Sequence, residues 1–172
     1  GAERVMGVSV KPGATELTFA PVALDDLAKQ SVAAHAGSAA TRQIDLGITA
    51  SDPKALVSGN ADALRTLLDN LVSNAVRYIP ATGRIDVSCG SSGEHAWLEV
   101  ADNGPGIPAE ERERVFDRFY RRSGQDVAGS GLGLAIVRTI ADKHGARIEL
   151  TDAQGGGLRV KVEFPILREG IS

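Results

Sequence analysis

One cysteine in 172 residues, Cys89, leaves no internal disulfide framework to hold the fold. It sits in the alternating run Ile85-Asp-Val87-Ser-Cys89, where a small, buried, apolar side chain is expected. Long hydrophobic runs are missing too: no stretch is long enough to span a bilayer, and no signal-peptide pattern occurs. Positive charge is not in excess, with 19 Lys and Arg against 22 Asp and Glu and a net charge of -3. That balance lacks the footprint of a nucleic-acid or anionic-membrane binder, so no nucleic-acid partner is expected. There is no internal repeat and no low-complexity tract. What remains is ordinary for a globular domain, with 42% hydrophobic and 24% charged residues. Length and composition predict one domain in the cytoplasm, free or as a soluble piece of a larger protein.

The pattern along the chain is mixed. Residues 1–15 are poor in pattern and are expected to be linker, and 167–172 a tail. From Leu24, residues Leu24, Leu27, Ala28 and Val32 follow helical spacing to about Ala36. A strand is expected over 43–49, paired with a brief strand at 55–58 across the Ser51-Asp52-Pro53 turn. The strongest helix follows Ser58-Gly59-Asn60, a capping segment, with Leu64, Leu67, Leu68, Leu71, Val72, Ala75 and Val76 in register. Pro80 and Gly83 end it. Strands are expected at 84–89 and 95–101, then a helical stretch over 109–120 and a polar glycine-containing loop over 121–130. A last helix, with Leu134, Ile136, Val137 and Ile140, stops at His144-Gly145. Two final strands, 146–151 and 157–164, flank a hairpin signal ending in Gly155-Gly-Gly157. This order predicts a two-layer α/β sandwich over 16–166, with a mixed, mainly antiparallel sheet and helices on one face.

Three segments carry chemistry. On the strongest helix, Asn70, Asn74 and Arg77 are four and three residues apart and share a stripe bordering the leucine face. A carboxamide oxygen is a hard ligand suited to Mg2+, and a guanidinium fork suits phosphate. Asp102 closes a strand and precedes Asn103-Gly104-Pro105-Gly106-Ile107. A carboxylate there can accept from an exocyclic amine such as adenine N6, with backbone free to approach a flat ring at Gly104 and Gly106. Gly129-Ser130-Gly131-Leu132-Gly133-Leu134 runs into a helix, an arrangement whose amides suit polyphosphate. The third glycine comes one position too early for a dinucleotide fingerprint, and no Lys-Ser or Lys-Thr completes a Walker A loop.

Together, these segments resemble the catalytic and ATP-binding domain of bacterial two-component sensor histidine kinases. Their superfamily (GHKL, with a Bergerat-type ATP-binding fold) also holds gyrase B, Hsp90 and MutL. Asn70 to Tyr78 resembles the N box and Asp102 to Gly106 the first glycine box. Glu113 to Arg121 resembles the F box and Gly129 to Leu134 the second glycine box. Gly155 to Gly157 sits where a further small glycine motif is expected. The wording Asn-Ala-Val-Arg-Tyr and Phe-Tyr-Arg-Arg is most similar to proteobacterial membrane sensors of the quorum-sensing and polymyxin-resistance type.

The resemblance implies roles. Asn74 would ligate the Mg2+ that bridges the ATP phosphates, supported by Asn70, and Arg77 and Tyr78 would line the phosphate and ribose side. Asp102 would bind adenine N6, with Gly104, Gly106 and Ile107 beside the ring. Phe116 and Phe119 would anchor a lid over 121–130, from which Arg121 or Arg122 (or Arg118 before it) would reach the γ-phosphate. Gly129, Ser130, Gly131, Leu132, Gly133 and Leu134 would close that lid and offer amides to phosphate.

The resemblance also implies what is missing. The family's phosphorylated His is followed by an acidic residue and a Pro on a helix, and none of His35, His95 and His144 fits; all three are expected at the surface or at helix caps. The acceptor would lie on a separate helical dimerisation domain of the same kinase, with a response regulator as the downstream partner. The whole protein is expected to be a homodimer anchored in the bacterial inner membrane, and this chain alone a monomer. Other functions stay open: an ATPase or an anti-sigma-type serine kinase of the same superfamily, or a degenerate module. The first two tend to carry Glu where this chain has Asn70, and Asn cannot act as a base at neutral pH.

Overall fold

The computed structural model describes residues 17–112, 116, 133–153 and 156–167. In chain order the elements are β1 (Ala20–Ala23), α1 (Leu24–Thr41), β2 (Asp45–Ala50), β3 (Leu56–Gly59) and α2 (Ala61–Tyr78). There follow β4 (Arg84–Ser91), β5 (His95–Asp102), a 3-10 turn (Ala109–Glu111), α3 (Gly133–Lys143), β6 (Arg147–Asp152) and β7 (Leu158–Pro165). Five strands form the main sheet in the order β2-β4-β5-β7-β6. All its pairings are antiparallel except β2 with β4. The mainly antiparallel α/β sandwich expected from the pattern is therefore present.

Alternation puts one face of this sheet under the helices. Val87, Leu98, Val100, Val160, Val162 and Phe164 are buried there. Register aligns them in rows: Val87 lies opposite Val100, which lies opposite Val160. The seven apolar residues of α2 close over that surface, all buried. Asn60 caps α2 as its position suggested, its side chain accepting from the Ala63 N–H at 2.9 Å. The opposite sheet face is polar. Arg159 pairs with Glu99 at 3.0 Å, and Lys161 lies 4.3 Å from the Trp97 ring centroid.

One expected pairing is wrong. β3 does not pair with β2; it pairs antiparallel with β1 in a separate two-stranded ribbon, and β2 lies parallel to β4. The turn between them explains why. Asp52 accepts from the Lys54 N–H at 2.9 Å and from the Ser91 hydroxyl at 2.6 Å, and its own N–H points to the Cys89 sulfur at 3.3 Å. The turn is thus pinned to the end of β4 and sends the chain out of the sheet instead of back along β2. The path then returns through α2, the crossover that parallel strands need. The Ser91 hydroxyl, followed by the Lys54 amide, holds the Asp52 carboxyl below its usual range. Burial pushes the Cys89 thiol up, so it behaves as the small hydrophobe expected. α1 also runs further than Ala36, to Thr41, and of the helical stretch expected over 109–120 the described residues hold the short 3-10 turn at its start and Phe116, also in 3-10 conformation.

Of the two places expected of it, surface or helix cap, His144 takes the helix end, and it is buried there. It is 7% exposed, stacked on Phe19 with centroids 4.6 Å apart and edge-on to Phe164. Its Nε2 accepts from the Asn60 N–H at 3.1 Å and its Nδ1 lies 2.8 Å from the Ile140 carbonyl. These partners fit a neutral ring with its proton on Nδ1. One imidazole thereby joins the end of α3 to the start of α2. Burial lowers its pKa from the ordinary 6.5. The unfolded chain binds that proton more readily, so the contribution is complete above about pH 6.5 and is lost as pH falls towards the lowered value. Urea titrations from pH 7.5 to 5.5 are expected to show stability falling by up to about 1.4 kcal/mol per pH unit in excess of a His144→Gln variant. Parallel slopes for the two proteins would contradict this.

Candidate functional site

β5 ends on a carboxylate that the fold buries. Asp102 is 8% exposed, and its Oδ1 accepts from the Gly104 N–H at 2.9 Å and from the Leu158 N–H at 3.3 Å. A buried charge needs such partners, and amides can supply them without a counter-cation. The two amides come from opposite sides, one from the loop after β5 and one from the start of β7. Asp102 therefore staples the glycine-rich segment to the last hairpin.

Glycines make that closure possible. Gly157 has φ +91°, and a Cβ there would fall 2.0 Å from the Asp102 carbonyl oxygen. Gly106 has φ +75°, and its own Cβ position lies 3.3 Å from the Gly157 carbonyl oxygen. Gly104 is also constrained by packing: a Cβ would meet Ile79 Cγ2 at 2.6 Å, against the residue that ends α2.

Asp102 opens onto a narrow cleft lined by Leu71, Asn74 and Ala75 of α2, Val100 of β5, Ile107, Leu134 of α3, Leu150 of β6 and Leu158 and Val160 of β7. The cavity measures about 10 Å³, room for about one water, so a purine could enter only if the walls part. Among the described residues its lining is otherwise apolar: an apolar slot, with the Asp102 carboxylate and the Asn74 carboxamide as its polar side chains.

Asn74 is half-buried and makes no side-chain hydrogen bond among the described residues. Asn70 donates to the Thr66 carbonyl at 2.8 Å, and its Oδ1 lies 3.4 Å from the Cβ position of Gly133, the first residue of α3. The N-terminus of α3, with its positive dipole end, thus abuts the two carboxamides. No group of three or more His, Cys, Asp or Glu residues able to hold a metal occurs among the described residues. The uncommitted amide oxygen suits a hard cation that takes most of its ligands from phosphate and water, and the helix N-terminus suits the phosphate itself. The residues present fit Mg2+ bound in that way.

Arg77 and Tyr78 occupy the last turn of α2, Arg77 exposed and Tyr78 half-buried, and neither lines the cleft. A residue that sequence inspection missed fixes this turn. The Arg42 guanidinium donates to the carbonyls of Val76, Arg77 (3.3 Å) and Ile79 (2.7 Å), capping α2 from 35 residues away. Nothing in the local sequence around Arg42 signals it. Arg112 was missed as well: it donates to the Ile107 carbonyl at 3.0 Å and to Asp152 at 2.6 Å, tying the glycine segment to the end of β6. Phe116 lies apart from the cleft, under the Arg138 guanidinium at 5.5 Å from its ring centroid. Phe119, Arg121, Arg122, Gly129, Ser130, Gly131 and Leu132, with Arg118, lie outside the described residues.

A two-layer sandwich with a carboxylate at the base of an apolar slot, two carboxamides on one helix and a second helix N-terminus facing them defines a nucleotide-binding domain. The sequence pattern described as "Histidine kinase-, DNA gyrase B-, and HSP90-like ATPase" matches residues 59–168, and the chain belongs to that family. Sensor protein QseC of Escherichia coli K12 is 38% identical over 145 residues, which are 84% of this chain and 31% of QseC. The chain thus spans about a third of the length of that relative. Among solved structures, the mycobacterial sensor histidine kinase MprB superposes with a TM-score of 0.75 at 32% identity, covering 86% of this chain and 97% of that one. Full-length ShkA in complex with AMPPNP superposes with a TM-score of 0.80 at 27% identity, over 92% of this chain and 33% of ShkA. The chain is an ATP-binding domain of the sensor histidine kinase type.

Gly157→Ala is expected to lower Tm by several degrees, because strain of about 1–3 kcal/mol shifts a domain of this size by about 2–4 °C per kcal/mol. Gly93→Ala, where a Cβ meets nothing within 4 Å, is expected to leave Tm unchanged. Equal Tm values for both variants in thermal denaturation would contradict the packing assigned to Gly157.

Proposed function

We propose that this domain binds ATP with Mg2+ and presents the γ-phosphate to a histidine on a separate helical dimerisation domain of the same kinase. A response regulator is the downstream acceptor. The observation that carries this is the buried Asp102 carboxylate, aimed by two backbone amides into a slot whose far wall carries Asn74. An adenine stacked between the apolar walls would donate its N6 amine to Asp102. Ile107 and the Gly104–Gly106 backbone lie along its edge. Full-length ShkA was solved with AMPPNP, an ATP analogue, on the same fold, which supports nucleotide as the ligand.

The phosphates would then run along α2 towards Asn74 and Asn70 and the N-terminus of α3. Mg2+ would be held by Asn74 and would neutralise phosphate charge there. Asn70 keeps its carboxamide against Thr66 and Gly133. Phosphoryl transfer is mostly positioning and charge neutralisation, and these groups supply both. They supply no base. Asn70 cannot deprotonate water, so hydrolysis is slow, which favours transfer to a partner histidine over the ATPase function of the wider superfamily.

The histidines of this chain support a separate acceptor. His144 is buried with both ring nitrogens engaged, and His35 Nδ1 lies 2.8 Å from the Ser31 carbonyl. His95 begins β5, with its backbone committed to the sheet. We place the catalytic domain at 16–166, between a linker (1–15) and a tail (167–172), on the cytoplasmic side of a homodimeric inner-membrane sensor. No helix among the described residues is long and apolar enough to cross a membrane.

Two outcomes are expected with [γ-32P]ATP and Mg2+. The chain alone acquires no acid-labile phosphohistidine, and a helical dimerisation domain of the same kinase becomes labelled when added. Label on the chain alone would contradict the proposal. Asn74→Asp is expected to weaken Mg·ATP binding at least tenfold in calorimetry while leaving adenosine binding unchanged. Retained Mg·ATP affinity would remove Asn74 from the metal site.

A further inference from the structure

The two amides that donate to Asp102 belong to different segments, and one side chain joins those segments from outside. Arg112 follows the 3-10 turn. There the Pro108 carbonyl accepts from the Glu111 N–H at 2.9 Å, and the Ala109 carbonyl from the Arg112 N–H at 3.3 Å. The turn folds the chain back, so the Arg112 Nε can donate to the Ile107 carbonyl at 3.0 Å. Its Nη2 donates to Asp152 at 2.6 Å. Asp152 ends β6 and lies opposite Leu158 in the β6–β7 register.

A closed ring of contacts results. It runs from Asp102 to the Gly104 amide, along the chain to Ile107 and through Arg112 to Asp152. From there it crosses to Leu158 and returns to Asp102 through the Leu158 amide. The Arg112 link is charge-assisted and made by one planar fork, so it sets the spacing of the two segments as well as joining them. Ile107 is buried and forms part of the slot wall, so the same link bears on that wall. The Asp152 side chain is 82% exposed, and a solvated pair of this kind contributes little to overall stability. Its effect is therefore local.

We propose that Arg112 is a positioning residue for recognition of the nucleotide base. It holds the Gly104 and Leu158 amides on Asp102, and so keeps the carboxylate placed to accept from an exocyclic amine and to repel a carbonyl. A carboxylate free to shift loses the first effect and relieves the second, so Arg112 acts on discrimination between bases. This role rests on Asp102 being the adenine contact.

Calorimetric affinities for ATP and inosine triphosphate, with Mg2+, test it in the native chain, Arg112→Gln, Asp152→Asn and the double variant. Arg65→Gln is the control, since Arg65 also pairs with a carboxylate, Asp69, and bonds Gln30 of α1, away from the ring. Arg112→Gln is expected to cut the ATP preference by about fivefold, with ATP weakened and inosine triphosphate unchanged or tightened. Tm stays within about 2 °C of native. Asp152→Asn shifts the preference in the same direction, and the double variant goes no further than Arg112→Gln, because both remove one link. Arg65→Gln keeps the native preference. In the nucleotide-free chain, the Gly104 and Leu158 amides exchange with solvent about tenfold faster in Arg112→Gln, while the Ala63 amide on α2 is unaffected. An undiminished ATP preference in either ring variant, equal weakening of both nucleotides, or unchanged amide exchange would overturn the role of Arg112 and leave that of Asp102 standing. Equal affinities of the native chain for the two nucleotides would overturn both.

Discussion

The carboxylate of Asp102 is the constraint on which the site depends. It ends a central strand and is buried, and it is stable there because amides from two different segments donate to the same oxygen. Those amides can converge only if Gly157 lies directly on the Asp102 backbone and Gly106 directly on Gly157. The glycine segment, the last hairpin and the strand end therefore form one packed unit. Burial of the carboxylate fixes the geometry of the slot, and the slot then presents that carboxylate to whatever enters.

α2 provides the other half. Its apolar face is the centre of the core, and its border carries Asn70 and Asn74 beside the N-terminus of α3. Both ends of the helix are tied to distant chain. Asn60 and His144 hold its start against the end of α3, and Arg42 holds its last turn. Both ends of α2 are thereby anchored, and its carboxamides lie along the slot between them. The cavity itself is nearly closed, and the movement that admits a purine must come from the walls opposite α2, such as Ile107, Leu134 and Leu150.

Much of this was legible in the sequence because it is periodic or local. The α2 stripe, the Asn60 cap, the alternation in β4, β5 and β7 and the Asp102 and Asn74 positions all follow from spacing a few residues long. What was not legible is long-range. The pairing of β2 with β4 depends on Asp52 meeting Ser91, and a local hairpin signal across Pro53 pointed the wrong way. The long-range bonds of Arg42 and His144 could not be seen, because their partners lie 35 and 84 residues away. The Gly155–Gly157 run was visible as a turn, but the contact of Gly157 with Asp102 is formed only in the folded sheet. The packing of Gly104 on Ile79 was likewise outside what the motif could show.

The central claim is that Asp102 reads the adenine amine, and exchange of that amine for a carbonyl tests it most directly. Calorimetric affinities for ATP and inosine triphosphate, with Mg2+, should differ by about 10- to 100-fold in favour of ATP, since a hydrogen bond to a charged acceptor contributes about 1.5–3 kcal/mol. Asp102→Asn, whose amide can donate to the inosine carbonyl, should abolish or reverse that preference. Equal affinities in the native protein, or an unchanged preference in the variant, would contradict the account.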